Sequence, residues 1–420
     1  MFIATVLTGL AAGVAGTALT LLLHGVQHFA FGYTENTFLV GVEHAVALRR
    51  VLAVAAGGVV AGAGWWLHRR RFSTNAVSVT HALREVPSRL PVIATFTDAV
   101  LQIVAVGTGA SLGREGAPRQ AGAASGGWIA SRFRVTPGQQ HTLLACGAGA
   151  GLAAVYNVPL GGAAFTLEIL LGSAAISDAV PAVLTAAIAT VIAWPILSDR
   201  ATYPIAAVHL SAPVLVWAVV LGPVAGMVGV GFVRLTSAAR SHAPKGWRSA
   251  FSIVVVFTAL GAAAIAYPEL LGNGKGLAGL GFEGTLSLGL AGALVLLKPI
   301  ATAACIGAGA IGGLLTPSLA TGAALGVFGG RLWSMLWPGA TVAQYAIVGA
   351  AAVLAVTQRA PITAIILTLE FVGTGLALLV PIVTVVALAM LTAWRIDKGM
   401  APAALTRSRV VTATREPHQL

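Results

Sequence analysis

Residues 147–168 read GAGAGLAAVYNVPLGGAAFTLE, and residues 349–370 read GAAAVLAVTQRAPITAIILTLE. The two stretches align at an offset of 202, with Pro159 falling on Pro361 and Thr166-Leu167-Glu168 on Thr368-Leu369-Glu370. Upstream of each, GAASG at 122–126 matches GAALG at 322–326, at an offset of 200. Two matching blocks in the same order indicate a duplicated fold, with halves of about residues 1–205 and 206–406 and a short tail at 407–420. The repeat leaves open whether the halves run parallel or inverted. It speaks for architecture and not for substrate.

The solvent of this fold is lipid. Of 420 residues, 57% are hydrophobic and 9% charged, whereas a soluble domain carries roughly 25% charged residues. Long uncharged stretches recur at Val51–His68, Val214–Val233, Gly339–Gln358 and Phe371–Trp394. Each is near the roughly 20 residues a helix needs to cross the hydrocarbon. The stretch Val135–Leu167 is longer, but its glycines and prolines, Pro137 and Pro159 among them, predict two or three broken helices. Broken helices are tolerated at membrane depth where the freed backbone is buried in protein or lines a cavity. In duplicated halves, paired short interrupted segments point to a binding site at the midplane between the repeats.

Net charge is +12, yet a nucleic-acid partner is not implied. The basic residues gather in short polar breaks, such as Arg69–Arg71 and Arg234 to Arg248, and after Arg395. Under the positive-inside rule these are cytoplasmic loops and a cytoplasmic C-terminus, a basic tail against anionic membrane lipid. Cys146 and Cys305 sit in apolar sequence with neither disulfide nor metal spacing and read as buried packing. Met1 to Thr34 holds no charged side chain and lacks the basic start of a signal peptide, so it reads as a retained first helix.

The chemistry concentrates in two places. Gly113-Arg114-Glu115-Gly116 sets two charges side by side in apolar sequence, just before an uncharged Gly- and Ala-rich helix. Intramembrane charges are costly and mark function or a structural ion pair. Here glycines allow close backbone approach, and the helix start supplies free N–H groups at the positive end of its dipole. That is an anion site, and the Glu115 carboxylate could occupy it when ionised and leave it when protonated. The second place, within the run from Leu297 to Gly326, is Gly312-Gly313-Leu314-Leu315-Thr316-Pro317. It is a glycine pair followed by a helix start, and it offers a second set of N–H donors.

The GREG segment, the Asn157-x-Pro159-Leu160 to Glu168 block, the Lys298 to Pro317 block and the Pro361–Glu370 block occur together in an order that resembles the CLC family of chloride channels and chloride–proton antiporters. The likeness covers about residues 50–405 by eye, and its specificity lies in the combination. It implies an all-α integral membrane fold, an inverted repeat of many tilted and broken transmembrane helices. It implies one anion pathway per subunit, a homodimer in the plasma or inner membrane, chloride and protons as substrates, and no cofactor, metal or enzyme activity. The family's gate passes to Glu115 and its backbone amide ligands to Leu314 and Leu315. Arg114 and Gly116 complete that side of the site. The tail after Arg407 is too short for a regulatory CBS pair.

Three departures qualify the resemblance. Where the family carries Gly-Ser-Gly-Ile-Pro, this chain has Ser73-Thr74-Asn75-Ala76-Val77, so Thr74 or Asn75 is the nearest side-chain donor. The family's tyrosine after the last helix would fall near Met400 or Ala401. The inward glutamate of its proton-coupled members is Ile169 here, leaving Glu168 as either a proton-path residue or a helix brace. The expected function is therefore chloride transport coupled to protons and gated by Glu115. Its alternatives are a passive, voltage- or pH-gated chloride channel, a carrier of fluoride or another ion or solute, and an intramembrane hydrolase using Ser111 or Ser125 with His141. His24 and His28, at i and i+4, read as interfacial.

Overall fold

A chain whose backbone must satisfy its own polar groups in lipid forms helices, and this one does so throughout. The computed structural model describes residues 1–34, 37–72, 78–85, 90–205, 209–373 and 375–397. Among them are seventeen α-helices, from α1 (Phe2–Phe31) to α17 (Leu379–Ile396), and the only β-type pairing is one isolated bridge. Six are long and apolar enough to cross a membrane: α1, α3 (Ala47–Arg71), α9 (Ile176–Leu197), α10 (Ala212–Ser241), α13 (Leu288–Gly307) and α17. Two others, α7 (Pro137–Tyr156) and α14 (Leu315–Leu336), are buried over much of their length. From Thr142 to Tyr156 every residue of α7 is buried, as expected of a helix packed by protein on all sides.

The segment read as broken helices is broken at Asn157. That residue caps α7 in the left-handed region at φ 55°, and Pro159 starts α8 (Pro159–Phe165), where its fixed φ suits the first turn. The same break recurs after α15 (Val342–Gln358), where Arg359 has φ 54° and Pro361 opens α16 (Pro361–Val372). The uncharged stretch Phe371–Trp394, read as one span, is two helices. Gly373 ends α16 in the left-handed region at φ 65°, and α17 begins at Leu379.

Both halves pack their long helices backbone to backbone. In the first, α6 (Gly116–Arg132) crosses α7 so closely that a Cβ on Gly147 would lie 2.1 Å from the Gly122 carbonyl oxygen. In the second, a Cβ on Gly349 would lie 2.4 Å from the carbonyl oxygen of Gly322 on α14. Small residues permit this approach where lipid supplies no hydrophobic drive between helices.

The short helices are tied together reciprocally. Past α8, Glu168 accepts from the N–H groups of Ile362 and Thr363 at 3.1 and 2.7 Å and from the Thr363 hydroxyl at 2.6 Å. Near the end of α16, Glu370 accepts from the N–H groups of Leu160 and Gly161 at 3.0 and 2.6 Å. Each carboxylate satisfies orphan donors in the first turn of the other half's short helix, at the positive end of its dipole.

Candidate functional site

The isolated bridge forms the floor of the site. Gly113 and Gly313 exchange two N–H to carbonyl bonds of 2.8 Å each, joining the turn before α6 to the turn before α14. Two helix starts are thereby brought to one point, and Glu115, the residue before α6, is fully buried between them. Its Oε1 accepts from the Leu315 N–H at 2.7 Å, and its Oε2 from the Thr316 hydroxyl at 2.9 Å. The Thr316 proton is thus committed, so the Tyr156 hydroxyl, 3.1 Å from Thr316 Oγ1, donates into it. A relay of hydroxyls from α7 reaches the carboxylate.

Only glycine fits the walls. A Cβ on Gly313 would lie 2.0 Å from Glu115 Oε1, and one on Gly113 would lie 2.2 Å from Oε2. The cradle offers an N–H and a hydroxyl donor to an oxygen, and the Glu115 carboxyl fills it. Burying a lone carboxylate costs several kcal/mol unless donors compensate. Here the compensation comes from a main-chain N–H, a hydroxyl and the starts of two helices.

Arg114 is not the partner of Glu115. Its Nη2 donates to the Val155 carbonyl at 3.1 Å, and its guanidinium lies 4.8 Å from the Tyr156 ring centre. Adjacent residues at the mouth of a helix point apart, so the structural ion pair weighed from sequence does not form. Arg114 instead lines a cavity of about 720 Å³ together with His24, His28 and Lys275, the last at the start of α12 (Lys275–Phe282). The histidines read as interfacial face this cavity, which Glu43 and Glu283 also line. A second cavity, of about 790 Å³, is lined by Arg69, Arg70, Arg240 and Lys245 and extends to Gly309–Gly312 beside the bridge. The first cavity thus balances two cations with two carboxylates, and the charged residues lining the second are cations alone. Positive clefts concentrate anions at their mouths.

The expected donors Gly116, Leu314 and Leu315 are all at the site: Gly116 opens α6, Leu314 caps α14, and Leu315 donates directly. Thr74, Asn75, Met400 and Ala401 lie outside the described residues. Sequence reasoning missed Thr316 and Tyr156. Thr316 was already inside the Gly312–Pro317 motif, but nothing in the pattern says which way a hydroxyl turns. Lys298, fully buried on α13, donates to the Leu270 and Gly272 carbonyls at 2.9 and 3.0 Å and so holds the loop before α12. Glu168 braces α16, as described above. The hydrolase arrangement does not form: the Ser125 hydroxyl donates to Ala121 of its own helix at 2.8 Å, and His141 Nε2 faces the Leu83 carbonyl at 3.1 Å.

The chain is similar to known proteins. The voltage gated chloride channel family matches residues 57–393. A ClcB-like chloride channel protein of Ralstonia nicotianae is 32% identical over 386 residues, covering 87% of each chain. The H(+)/Cl(-) exchange transporter ClcA of Yersinia pestis is 31% identical over 315 residues, 72% of this chain and 66% of that one. The crystal structure of a slow cyanobacterial Cl-/H+ antiporter superposes with a TM-score of 0.83 at 22% identity, over 98% of both chains.

Proposed function

The chain belongs to the voltage gated chloride channel family, and on that premise we propose that it exchanges chloride for protons across a membrane, with Glu115 as the gate. It is a multi-pass membrane protein. The observation that carries the proposal is the seat of Glu115, a buried carboxyl group whose two oxygens accept from an N–H and a hydroxyl in a cradle walled by glycines. Protonation cancels the charge that these donors stabilise, the side chain leaves, and a chloride takes the N–H groups of Gly116, Leu314 and Leu315. Deprotonation reverses the exchange. One carboxylate thus binds a proton and an anion in alternation, which is the requirement for counter-transport.

The same proposal assigns Arg114 to drawing anions toward the site, and Thr74 or Asn75 to at most one further donor. Glu168 serves as a brace first and a proton-path residue second. The cavity of Arg69 and Arg240 faces the cytoplasm, where the positive-inside rule places those basic segments and the C-terminal tail. The plasma or inner membrane, a homodimer, and halves at residues 1–205 and 206–406 complete it.

Passive chloride conduction is the second reading. It is favoured by Ile169, an apolar residue where a coupled member would carry a carboxylate, and by the channel name of the Ralstonia relative. The test is the zero-current voltage of proteoliposomes under a pH gradient at fixed chloride. Exchange displaces that voltage from the chloride equilibrium value. A voltage that stays there at every pH difference leaves a channel with a carboxylate gate.

A further inference from the structure

Exchange needs a route for protons to Glu115 from the side opposite the first cavity, and Ile169 offers none. A second buried carboxylate does. Asp98, on α5 (Val92–Gly107), is completely buried, and among the described residues no Lys or Arg lies within ion-pairing distance of it. Its Oδ1 accepts from the Trp65 indole N–H at 2.9 Å and its Oδ2 from the Gln102 amide at 2.8 Å. Its hydrogen-bond donors are both neutral side chains, and the one cation that interacts with it electrostatically is Arg69, one turn on from Trp65.

Its position is intermediate. α3 runs antiparallel to α5, and Arg69, one turn beyond Trp65, lines the second cavity, about 6 Å further along the helix. One turn the other way on α5 is Gln102, itself 1% exposed. The Gln102 amide is pinned, because Nε2 donates both to Asp98 and to Gln120 Oε1 at 2.7 Å. That leaves Oε1 as a buried acceptor with no partner, and it is aimed at the start of α6, 2.3 Å from where a Gly116 Cβ would lie. A buried acceptor without a protein partner is the kind of group that an ordered water satisfies. The titratable and charged groups near this region are His68 and Arg69 from α3 and Glu115 before α6, whereas Arg119 of α6 turns its guanidinium over the Phe165 ring. His24 and His28 belong to α1, which meets the opposite end of α5 at Gly107.

We propose that Asp98 is the inner proton-transfer residue of the exchange. Its carboxylate takes a proton from hydronium in the Arg69–Arg70 cavity, leaving water there. It then passes a proton along water seated at Gln102 Oε1 to the Glu115 carboxylate, which becomes neutral and yields its place to chloride while Asp98 returns to the ionised state. This rests on the exchange reading above.

The test is paired chloride and proton flux from proteoliposomes. With Asp98→Asn, chloride flux persists while proton flux falls about 10²-fold, the scale of losing one positioned proton-transfer group. Asp98→Glu restores the proton-to-chloride ratio. Gln102→Leu keeps Asp98 on Trp65 but removes the acceptor, and lowers the ratio in the same direction, which covers the case of an unstable Asp98→Asn. The infrared carbonyl band of a protonated carboxylic acid, present and titrating in the wild type, is diminished in Asp98→Asn. A wild type that moves no protons overturns exchange and relay together. A wild type that couples while Asp98→Asn and Gln102→Leu couple equally well overturns the relay alone, as does loss of both fluxes in parallel at an unchanged ratio.

Discussion

The two halves of this chain meet at two kinds of junction, and the junctions obey opposite rules. At the short helices the halves trade like for like: Glu168 holds the start of α16 and Glu370 holds the start of α8. At the centre, Gly113 and Gly313 also trade equal bonds. Two residues further on, however, the position that is Glu115 in the first half is Leu315 in the second, at the same offset of 200. One half supplies a carboxylate and the other supplies the N–H that receives it. On the proposed duplication the cradle has two matched sides, and the proposed gate rests on the one pair, Glu115 and Leu315, at which they differ. Symmetric contacts brace, and the broken symmetry is where a charge can come and go.

Removing the asymmetry has the largest expected effect. Glu115→Gln leaves two neutral residues at the matched positions, so chloride flux loses its dependence on external pH and proton flux drops by about 10²-fold or more. Parallel chloride and proton electrode records check it. A mutant with the wild-type pH profile places the gate elsewhere.

Crowding the cradle comes next. Gly313→Ala sets a methyl group 2.0 Å from the Glu115 carboxylate, and the flexible side chain is the part that can yield. The carboxylate is displaced, and flux becomes less sensitive to pH. Gly349→Ala makes a collision of the same order, but against the Gly322 carbonyl, where only helices can move. That overpacking lowers stability by about 1–3 kcal/mol without changing pH dependence. Thermal unfolding in detergent, set beside flux, separates the two glycines.

Much of this arrangement was legible in the sequence, for identifiable reasons. Asn157-x-Pro159 and Arg359-x-Pro361 mark helix breaks because proline cannot continue a helix but suits a first turn, and those breaks lie at the matching positions of the repeat. Glu115 stood out because a carboxylate in an apolar region needs a reason to be there. What stayed hidden were facts of side-chain direction: that Arg114 turns to Val155 and Tyr156 rather than to its neighbour, that Thr316 reaches the carboxylate across 201 residues of chain, and that Tyr156 reaches Thr316 across 160. Asp98 is a charge within an apolar stretch, but Gln102, which donates to it and to Gln120, carries no motif. The gap between α16 and α17 was missed because Gly373 and Gly375 interrupt a run whose composition alone is that of a span.

The symmetric braces are expected to respond alike. Glu168→Gln and Glu370→Gln each weaken hydrogen bonds to a charged acceptor, so each lowers stability by about 1–3 kcal/mol, with the proton-to-chloride ratio unchanged. Thermal unfolding of the two single variants and the double variant measures it. If Glu168→Gln depresses coupling while Glu370→Gln does not, the equivalence breaks and Glu168 joins the proton path.

The smallest effect tests how far the asymmetry extends beyond Glu115. Tyr156 lies on α7, and its hydroxyl supports Thr316, which in turn holds the ionised carboxylate. Removing a donor from that relay disfavours the charged form of Glu115, so the side chain is protonated, and leaves its seat, at a less acidic pH. The sign is therefore fixed: in Tyr156→Phe the pH at half-maximal flux moves upward. The hydroxyl acts through one intermediate, so the effect is below the roughly 0.5–1.5 kcal/mol of a direct hydrogen bond, which keeps the displacement under about one pH unit. Thr316→Val removes the direct donor and moves the midpoint further in the same direction. Flux titrations of the two variants against wild type give the order. A downward shift in either, or a larger shift for Tyr156→Phe than for Thr316→Val, breaks the relay and leaves the Leu315 N–H as the donor that sets the gate.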